Sequence, residues 1–285
     1  MRSSTSNPSG VLFTDLDGTL LASNRTLPAE NLRALHDLGR AGVVRVVATG
    51  RSMHSFRHAV PKDLPVDYVI FSTGAGVLSW SEDRILIKHE LTREQLQRGR
   101  EVLAEEDIDH MVHAPIPDNH LFWYRGTGQS NPDYLARLEL LKRFGTELQD
   151  GMEIPGASQL LGIIPHKGHG AQHRRHLRLR ERLAGMSVIR ATSPLDHMSV
   201  WLEIFPEAVS KSRAAGWLLK HLDLKDSPTM AIGNDYNDQD LLEWAGNAFV
   251  TANSPAKLKG LFRPVAANDE GGVAEAIHVW MEEKI

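Results

Sequence analysis

The chain has no cysteine, few aromatic residues (6%) and no long apolar run. Without cysteine there is no disulfide framework, no thiolate zinc site and no thiol nucleophile. No uninterrupted apolar segment approaches the roughly 18 residues of a membrane-spanning helix. The opening MRSSTSNPSG lacks the apolar centre of a secretory signal. Residues 1–9 read as a disordered tail, and the expected location is the cytoplasm. A charge excess is missing too. Lys+Arg 32 against Asp+Glu 36 leaves −4, which gives no overall field toward nucleic acid or anionic membrane, so neither is an expected partner. There are 14 histidines but no HExxH, so no zinc-hydrolase motif is visible. The GxG at 74–76 is not GxGxxG, which leaves a dinucleotide site poorly supported.

What is present suffices for a sizeable core: 285 residues, 41% hydrophobic and 24% charged. The length fits one large domain or two modest ones. Val11-Leu12-Phe13 predicts a first strand. Pro28 fits the first turn of a helix whose stripe is Leu32, Leu35 and Leu38. Val43 to Ala48 is nearly all apolar, the pattern of a strand buried on both faces of a parallel sheet. Val66 to Phe71 is another strand, and this order reads as βαβ units. The end of the chain repeats the theme, with strands at 200–205, 229–232, 249–250 and 264–266 and helices at 211–221, 238–245 and 273–281. The stretch from Asp83 to His197 has a different rhythm. Helices at 92–105, 132–144 and 170–184 alternate with strands near 110–113, 121–125, 159–164, 187–192 and 199–204. That grouping predicts an α+β insertion with an antiparallel sheet inside a parallel α/β domain. The expected division is 10–82 with 198–285 for the parallel domain, and 83–197 for the insertion. The basic run at 173–180 reads as a solvated helix face.

Four stations carry chemistry. Asp15 and Asp17 follow the first strand, and residues i and i+2 project to one side, at the carboxyl end where open α/β sheets place ligands. Two close carboxylates call for a cation or a shared proton, and all-oxygen ligation suits a hard ion such as Mg²⁺. Thr49-Gly50-Arg51 follows the next strand, and a small hydroxyl and a glycine before a helix make an anion seat. Lys211 follows Ser210, a good N-cap, and a cation in a first helical turn opposes the macrodipole unless an anion is near. Gly233-Asn234-Asp235-Tyr236-Asn237-Asp238 follows another strand and holds more carboxylates and carboxamides than capping needs.

Together these stations resemble the haloacid dehalogenase-like hydrolase superfamily. DLDGT at 15–19 resembles its first motif, Thr49 its second, Lys211 its third and GNDYND at 233–238 its fourth. The insertion lies where the Cof-like subclass carries an α/β cap, and TGR (49–51), Asn253 and Gly271-Gly272-Val273 also look Cof-like. The resemblance implies a Rossmann-like parallel-sheet core with an inserted α+β cap. It also implies a Mg²⁺-dependent phosphatase for a small-molecule phosphate ester, a sugar phosphate being favoured. Asp15 would attack phosphorus, and Asp17 would protonate the leaving oxygen and then activate water. Thr49, Gly50, Arg51, Lys211 and the backbone N–H groups of Leu16 and Gly18 would bind phosphate. Asp15, the Asp17 carbonyl, Asn234, Asp235 and Asp238 would form the metal site. Two departures stand out. Asn234 holds the place where the fourth motif usually has Asp, with Asp235 the favoured acidic ligand, and Thr73-Gly74-Ala75 stands where NGA is common. A phosphosugar mutase, a phospho-acceptor regulator and a catalytically dead binding module are the competing readings.

Overall fold

The structure is a computed structural model that describes residues 9–166 and 171–283. The expected tail lies almost wholly outside the described residues. The chain opens with strand β1 (Gly10–Thr14), helix α1 (Ala29–Arg40) and strand β2 (Val43–Ala48). Helix α2 (Met53–Ala59) follows, then strands β3 (Tyr68–Phe71), β4 (Gly76–Ser79) and β5 (Arg84–Lys88). The inserted stretch runs through α3 (Arg93–Glu105), β6 (Asp109–His113), β7 (Phe122–Arg125) and α4 (Pro132–Leu141). It continues with β8 (Gly145–Glu147), β9 (Gln159–Ile164), α5 (Ala171–Arg182), β10 (Met186–Thr192) and β11 (Val200–Pro206). The return comprises α6 (Lys211–His221), β12 (Thr229–Gly233), α7 (Gln239–Trp244), β13 (Asn247–Thr251), α8 (Ala256–Lys259), β14 (Arg263–Val265) and α9 (Gly272–Glu283). None of the described helices is long and apolar enough to cross a membrane.

The chain forms two compact units. One holds the chain up to Arg51, Phe56–Ile87 and everything from Ser210; the other holds Ser52–Ser55 and Lys88–Val209. The first unit is built on an eight-stranded sheet in the order β14-β13-β12-β1-β2-β3-β4-β5. The run from β14 to β3 is parallel, and β4 pairs antiparallel with β3. The all-buried β1 explains why Gly10–Thr14 reads as an unbroken apolar run. Its core packs β-strand residues Val11, Phe13, Val46 and Ala231 with Ala215 and Leu218 of α6. This is an α/β fold of Rossmann type with an inserted domain.

The second unit has a six-stranded sheet, β10-β11-β9-β6-β7-β8, antiparallel except for β7 with β8. Side chains alternate between two apolar clusters. Val112, Leu160, Leu202 and Ile204 pack with Leu103 and Leu179 of α3 and α5. Met111, Leu161, Ile163 and Trp201 point to the other cluster, with Tyr134 of α4. The division falls at different residues from those expected. Residues 83–87 belong to the first unit, where β5 extends the parallel sheet's edge, and 198–209 belong to the second. The cause is β11. It pairs on both sides with β9 and β10 and is buried from Val200 to Phe205, so its apolar run matches that of a parallel-sheet strand. The basic helix α5 is more engaged than a solvated face. Arg178 and Arg182 pair with Glu106, and Arg175 donates to the Glu106 and Asp107 carbonyls.

Candidate active site

Parallel strands β12, β1 and β2 lie side by side, so the loops at their carboxyl ends converge without help from any other element. The β1 loop carries DLDGT, the β2 loop TGR and the β12 loop GNDYND. Lys211, the first residue of α6, is fully buried among them. Its Nζ donates to Asp15 Oδ1 at 2.6 Å and to Asp238 Oδ1 at 2.5 Å. A buried lysine between two buried carboxylates is tolerable only as a tight network, because each charge is costly in the interior unless paired. Burial alone would lower the Lys211 pKa, but Asp15 and Asp238 more than reverse this and raise it. Asp15 is pushed up to about 7 by burial and then by Asp238, against the pull of Lys211. The ammonium at the start of α6 is thus offset by two carboxylates. Ser210 caps that helix by accepting from Arg213 N–H.

Asp238 is fully engaged. Its Oδ2 accepts the backbone N–H of Asn234 at 2.8 Å and of Asp235 at 3.1 Å, which fixes the fourth loop in shape. Asn234 lies against the first loop, its Oδ1 accepting from Thr19 Oγ1 at 3.2 Å. Gly18 is required there. Its φ is +71°, and a Cβ would strike the Asn234 carboxamide. The Gly18 carbonyl accepts from Asn253 Nδ2 at 2.9 Å, a long-range support for the first loop.

Asp17 and Arg51 form a bidentate pair, with Nε on Oδ2 and Nη2 on Oδ1, both at 2.6 Å. Asp17 is about half exposed, Arg51 less so. The hydrogen bond from Asp17 raises the arginine's pKa against its burial. Thr49 is buried, and its Oγ1 accepts the Arg51 N–H at 3.1 Å, closing the β2 loop on itself. Behind it, Ser72 and Thr73 are buried with φ of 47° and 55°, and Gly74 has φ +103°. A Cβ on Gly74 would collide with the Ser210 carbonyl, so this turn needs glycine to approach the start of α6. A β-branched Thr73 in left-handed backbone is strained, and it falls at the position where NGA has its asparagine.

The structure therefore brings Asp15, Asp17, Thr49, Gly50, Arg51, Lys211, Asn234, Asp235 and Asp238, with Leu16 and Gly18, to one end of one sheet. The sequence left the Asp17–Arg51 pairing unassigned and marked Thr19 and Asn253 only as points of resemblance, because each pairs with a residue at long range. Asn234 is held against DLDGT through Thr19, and Asp238 fixes the backbone amides of both Asn234 and Asp235. Among the described residues no group of three or more His, Cys, Asp or Glu side chains is placed to hold a metal ion.

A buried lysine clamped by carboxylates at adjacent strand ends, with anion-seat loops beside it, defines an enzyme site on a Rossmann-type sheet. A family model described as haloacid dehalogenase-like hydrolase matches residues 12–277, and the chain belongs to that family. Similar curated proteins include HMP-PP phosphatase from Klebsiella pneumoniae (strain 342). It is 28% identical over 252 residues, covering 86% of this chain and 85% of that protein. HMP-PP phosphatase from Yersinia pseudotuberculosis serotype I (strain IP32953) is 26% identical over 279 residues, covering 94% and 93%. Among solved structures, the phosphatase BT1666 from Bacteroides thetaiotaomicron shares the fold at a TM-score of 0.76 and 19% identity, covering 100% of this chain and 98% of that one. The sugar phosphatase BT4131, of subclass IIB, shares it at 0.74 and 16%, covering 97% and 100%.

Proposed function

We propose that this enzyme, a phosphoric monoester hydrolase, transfers the phosphoryl group of a small phosphate ester to Asp15 and then to water. The supporting observation is the buried clamp of Lys211 between Asp15 and Asp238. An attacking carboxylate and a phosphate dianion repel, so the site must supply positive charge and N–H donors where phosphorus sits. Lys211 touches the proposed nucleophile directly, and Thr49, Gly50, Arg51 and the N–H groups of Leu16 and Gly18 are the further phosphate contacts.

In the first step an Asp15 oxygen forms a bond to phosphorus, the bond to the ester oxygen breaks, and Asp17 gives that oxygen a proton. In the second step water attacks phosphorus, Asp17 takes the water's proton, and the bond from Asp15 to phosphorus breaks to release inorganic phosphate. Arg51 donates two hydrogen bonds to Asp17, the group that accepts the water's proton in the second step. In the first step Arg51 must release it, and the substrate's phosphate is the competing anion.

The family's metal dependence fits the donors present. They are all oxygen: Asp15, the Asp17 carbonyl, Asn234 and Asp235, with no sulfur and no imidazole in the cluster. Asp238, with both oxygens engaged, acts from behind by holding Lys211 and the loop. A Mg²⁺ ion there would neutralise charge on the transferring phosphoryl group. HMP-PP and sugar phosphates, the compounds named for the relatives and neighbours, head the candidate substrates. The test is phosphate release from a panel of esters with and without Mg²⁺. Release requires Mg²⁺ and is abolished in Asp15→Asn; full activity of purified Asp15→Asn overturns the assignment.

A further inference from the structure

We infer that the buried turn Ser72-Thr73-Gly74 is a positioning element that sets the spacing between the phosphate seat at Thr49–Arg51 and Lys211. The inference rests on the phosphatase reading and adds to it residues that act through the groups already named. The turn follows β3 and is buried throughout. Its φ angles are all positive: 47° at Ser72, 55° at Thr73 and 103° at Gly74. Only the last residue is glycine. Successive residues with side chains in left-handed backbone, one of them β-branched, are costly. Such a conformation persists only where the surroundings over-determine it.

Two neighbours impose it. One is the β2 loop. Strands β2 and β3 run parallel with Ala48 level with Ile70, and the Thr49 N–H donates to the Ile70 carbonyl at 2.8 Å. Continued regularly, that ladder would bring the Ser72 N–H to the Thr49 carbonyl. The left-handed turn changes the pairing. The Thr73 N–H donates to the Thr49 carbonyl at 2.9 Å, and the Ser72 N–H reaches on to the Arg51 carbonyl at 2.8 Å. These two bonds bracket Gly50 and hold both ends of the seat. The other neighbour is the start of α6. A Cβ on Gly74 would run into the Ser210 carbonyl and the Ala214 Cβ, so turn and helix meet at the backbone. That same carbonyl accepts the Ala214 N–H at 3.1 Å in the first helical turn, and the residue after it is Lys211. The turn thus links the seat to the lysine through backbone alone. A branched side chain at Thr73 stiffens the link, where glycine would leave it several conformations. A phosphoryl group held by the seat and charge-matched by Lys211 needs that spacing, because a misplacement of about 1 Å can cost about 10²-fold in rate.

The experiment uses the full chain. Inorganic phosphate is titrated by calorimetry with Mg²⁺ present, and kcat and the Mg²⁺ concentration for half-maximal activity are measured with p-nitrophenyl phosphate. Gly74→Ala, which forces the turn off the Ser210 carbonyl, weakens phosphate binding and lowers kcat, each about 10-fold. It moves the Mg²⁺ requirement less than about threefold, because the ion's donors lie on the first and fourth loops. Thr73→Gly relieves the strain but frees the turn, so its melting temperature stays within about 2 °C of the parent's while phosphate binding weakens about threefold. Thr73→Asn, which takes left-handed backbone and keeps a side chain, binds phosphate more tightly than Thr73→Gly. The Thr73 pair also gives the reading should Gly74→Ala fold poorly. Three results overturn the inference: a folded Gly74→Ala with phosphate affinity and kcat within about twofold of the parent's, a Thr73→Gly that loses phosphate affinity only as its melting temperature falls, or equal shifts in phosphate and Mg²⁺ dependence. Those outcomes leave the phosphatase reading standing; that reading fails instead, and this inference with it, when the parent chain releases phosphate from no ester, p-nitrophenyl phosphate included.

Discussion

The two sheets of this molecule handle polar residues in opposite ways. In the first unit, charged side chains gather at the carboxyl ends of parallel strands, each held by a partner from another loop: Asp15 and Asp238 by Lys211, Asp17 by Arg51. In the second, polar groups sit on the face of an antiparallel sheet, and some, such as His113 Nε2, are left unmet. Parallel topology explains the first case. Every strand end points the same way, so a few residues from distant parts of the chain converge with little conformational freedom. An antiparallel sheet sends consecutive loops to opposite ends, so its polar residues must be placed one by one on a face. The lesson is one of placement: the parallel unit gathers a charge-matched cluster at its strand ends, and the antiparallel unit spreads its polar groups over the faces of its sheet.

That contrast can be broken by substitution. The largest effect after loss of the nucleophile is expected from Asp17→Asn, which lowers kcat by about 10²-fold or more, the scale of a lost general acid and base. Esters with poor leaving groups suffer more than p-nitrophenyl phosphate, whose leaving oxygen needs little protonation. An equal loss for both classes contradicts the acid role. A smaller effect is expected at the fourth loop. Asn234→Ala raises the Mg²⁺ concentration for half-maximal activity about 10-fold, the cost of losing a positioned oxygen near the ion. Asn234→Asp lowers it by restoring a charge, and Asp235→Asn changes it less than either. A titration in which Asp235→Asn has the larger effect returns the ligand role to Asp235.

The smallest effect lies in the second unit and is one of stability. His113 has its pKa lowered from 6.5 to about 3 by burial. Between those values the unfolded chain binds a proton that the folded chain does not, so folding stability falls as pH drops from about 6.5 toward 3 and is unaffected above that window. His113→Gln, which cannot titrate, flattens the slope by up to about 1.4 kcal/mol per pH unit. Chemical denaturation of both proteins at pH 7 and pH 5 measures it. Parallel slopes for the two proteins contradict a buried neutral histidine.

The difference between the units also governs what could be read from the sequence. Asp15 and Asp238 were legible because the chemistry dictates residue types in the loops after apolar strands, and Val11 to Phe13 and Thr229 to Ile232 announce those strands by their runs; Lys211 was legible as a cation in a first helical turn after Ser210. The strand Gln159–Ile164 and helix Lys211–His221 fall where their patterns predict. Strands β4 and β5 did not stand out, since Gly76–Ser79 is short and Arg84–Lys88 is only partly buried at the sheet's edge. Val200–Pro206 reads as a strand but not as a strand of a particular sheet, because burial on both faces erases the alternation that would identify it. His113 carried no signal at all. A histidine in an apolar strand looks the same whether its second nitrogen is satisfied or not, and only the fold shows that it is not.

The central claim is that the parallel unit holds the phosphoryl group covalently on Asp15. The direct measurement is a rapid acid quench of Asp17→Asn turning over p-nitrophenyl phosphate with Mg²⁺, followed by mass spectrometry of the peptides. The good leaving group lets the first step proceed, and loss of the base slows the second, so the intermediate accumulates. The expected result is a phosphoryl group on the peptide containing Asp15, removed by hydroxylamine. A burst of p-nitrophenolate with no modified peptide, or with the phosphoryl group on a residue other than Asp15, contradicts the account.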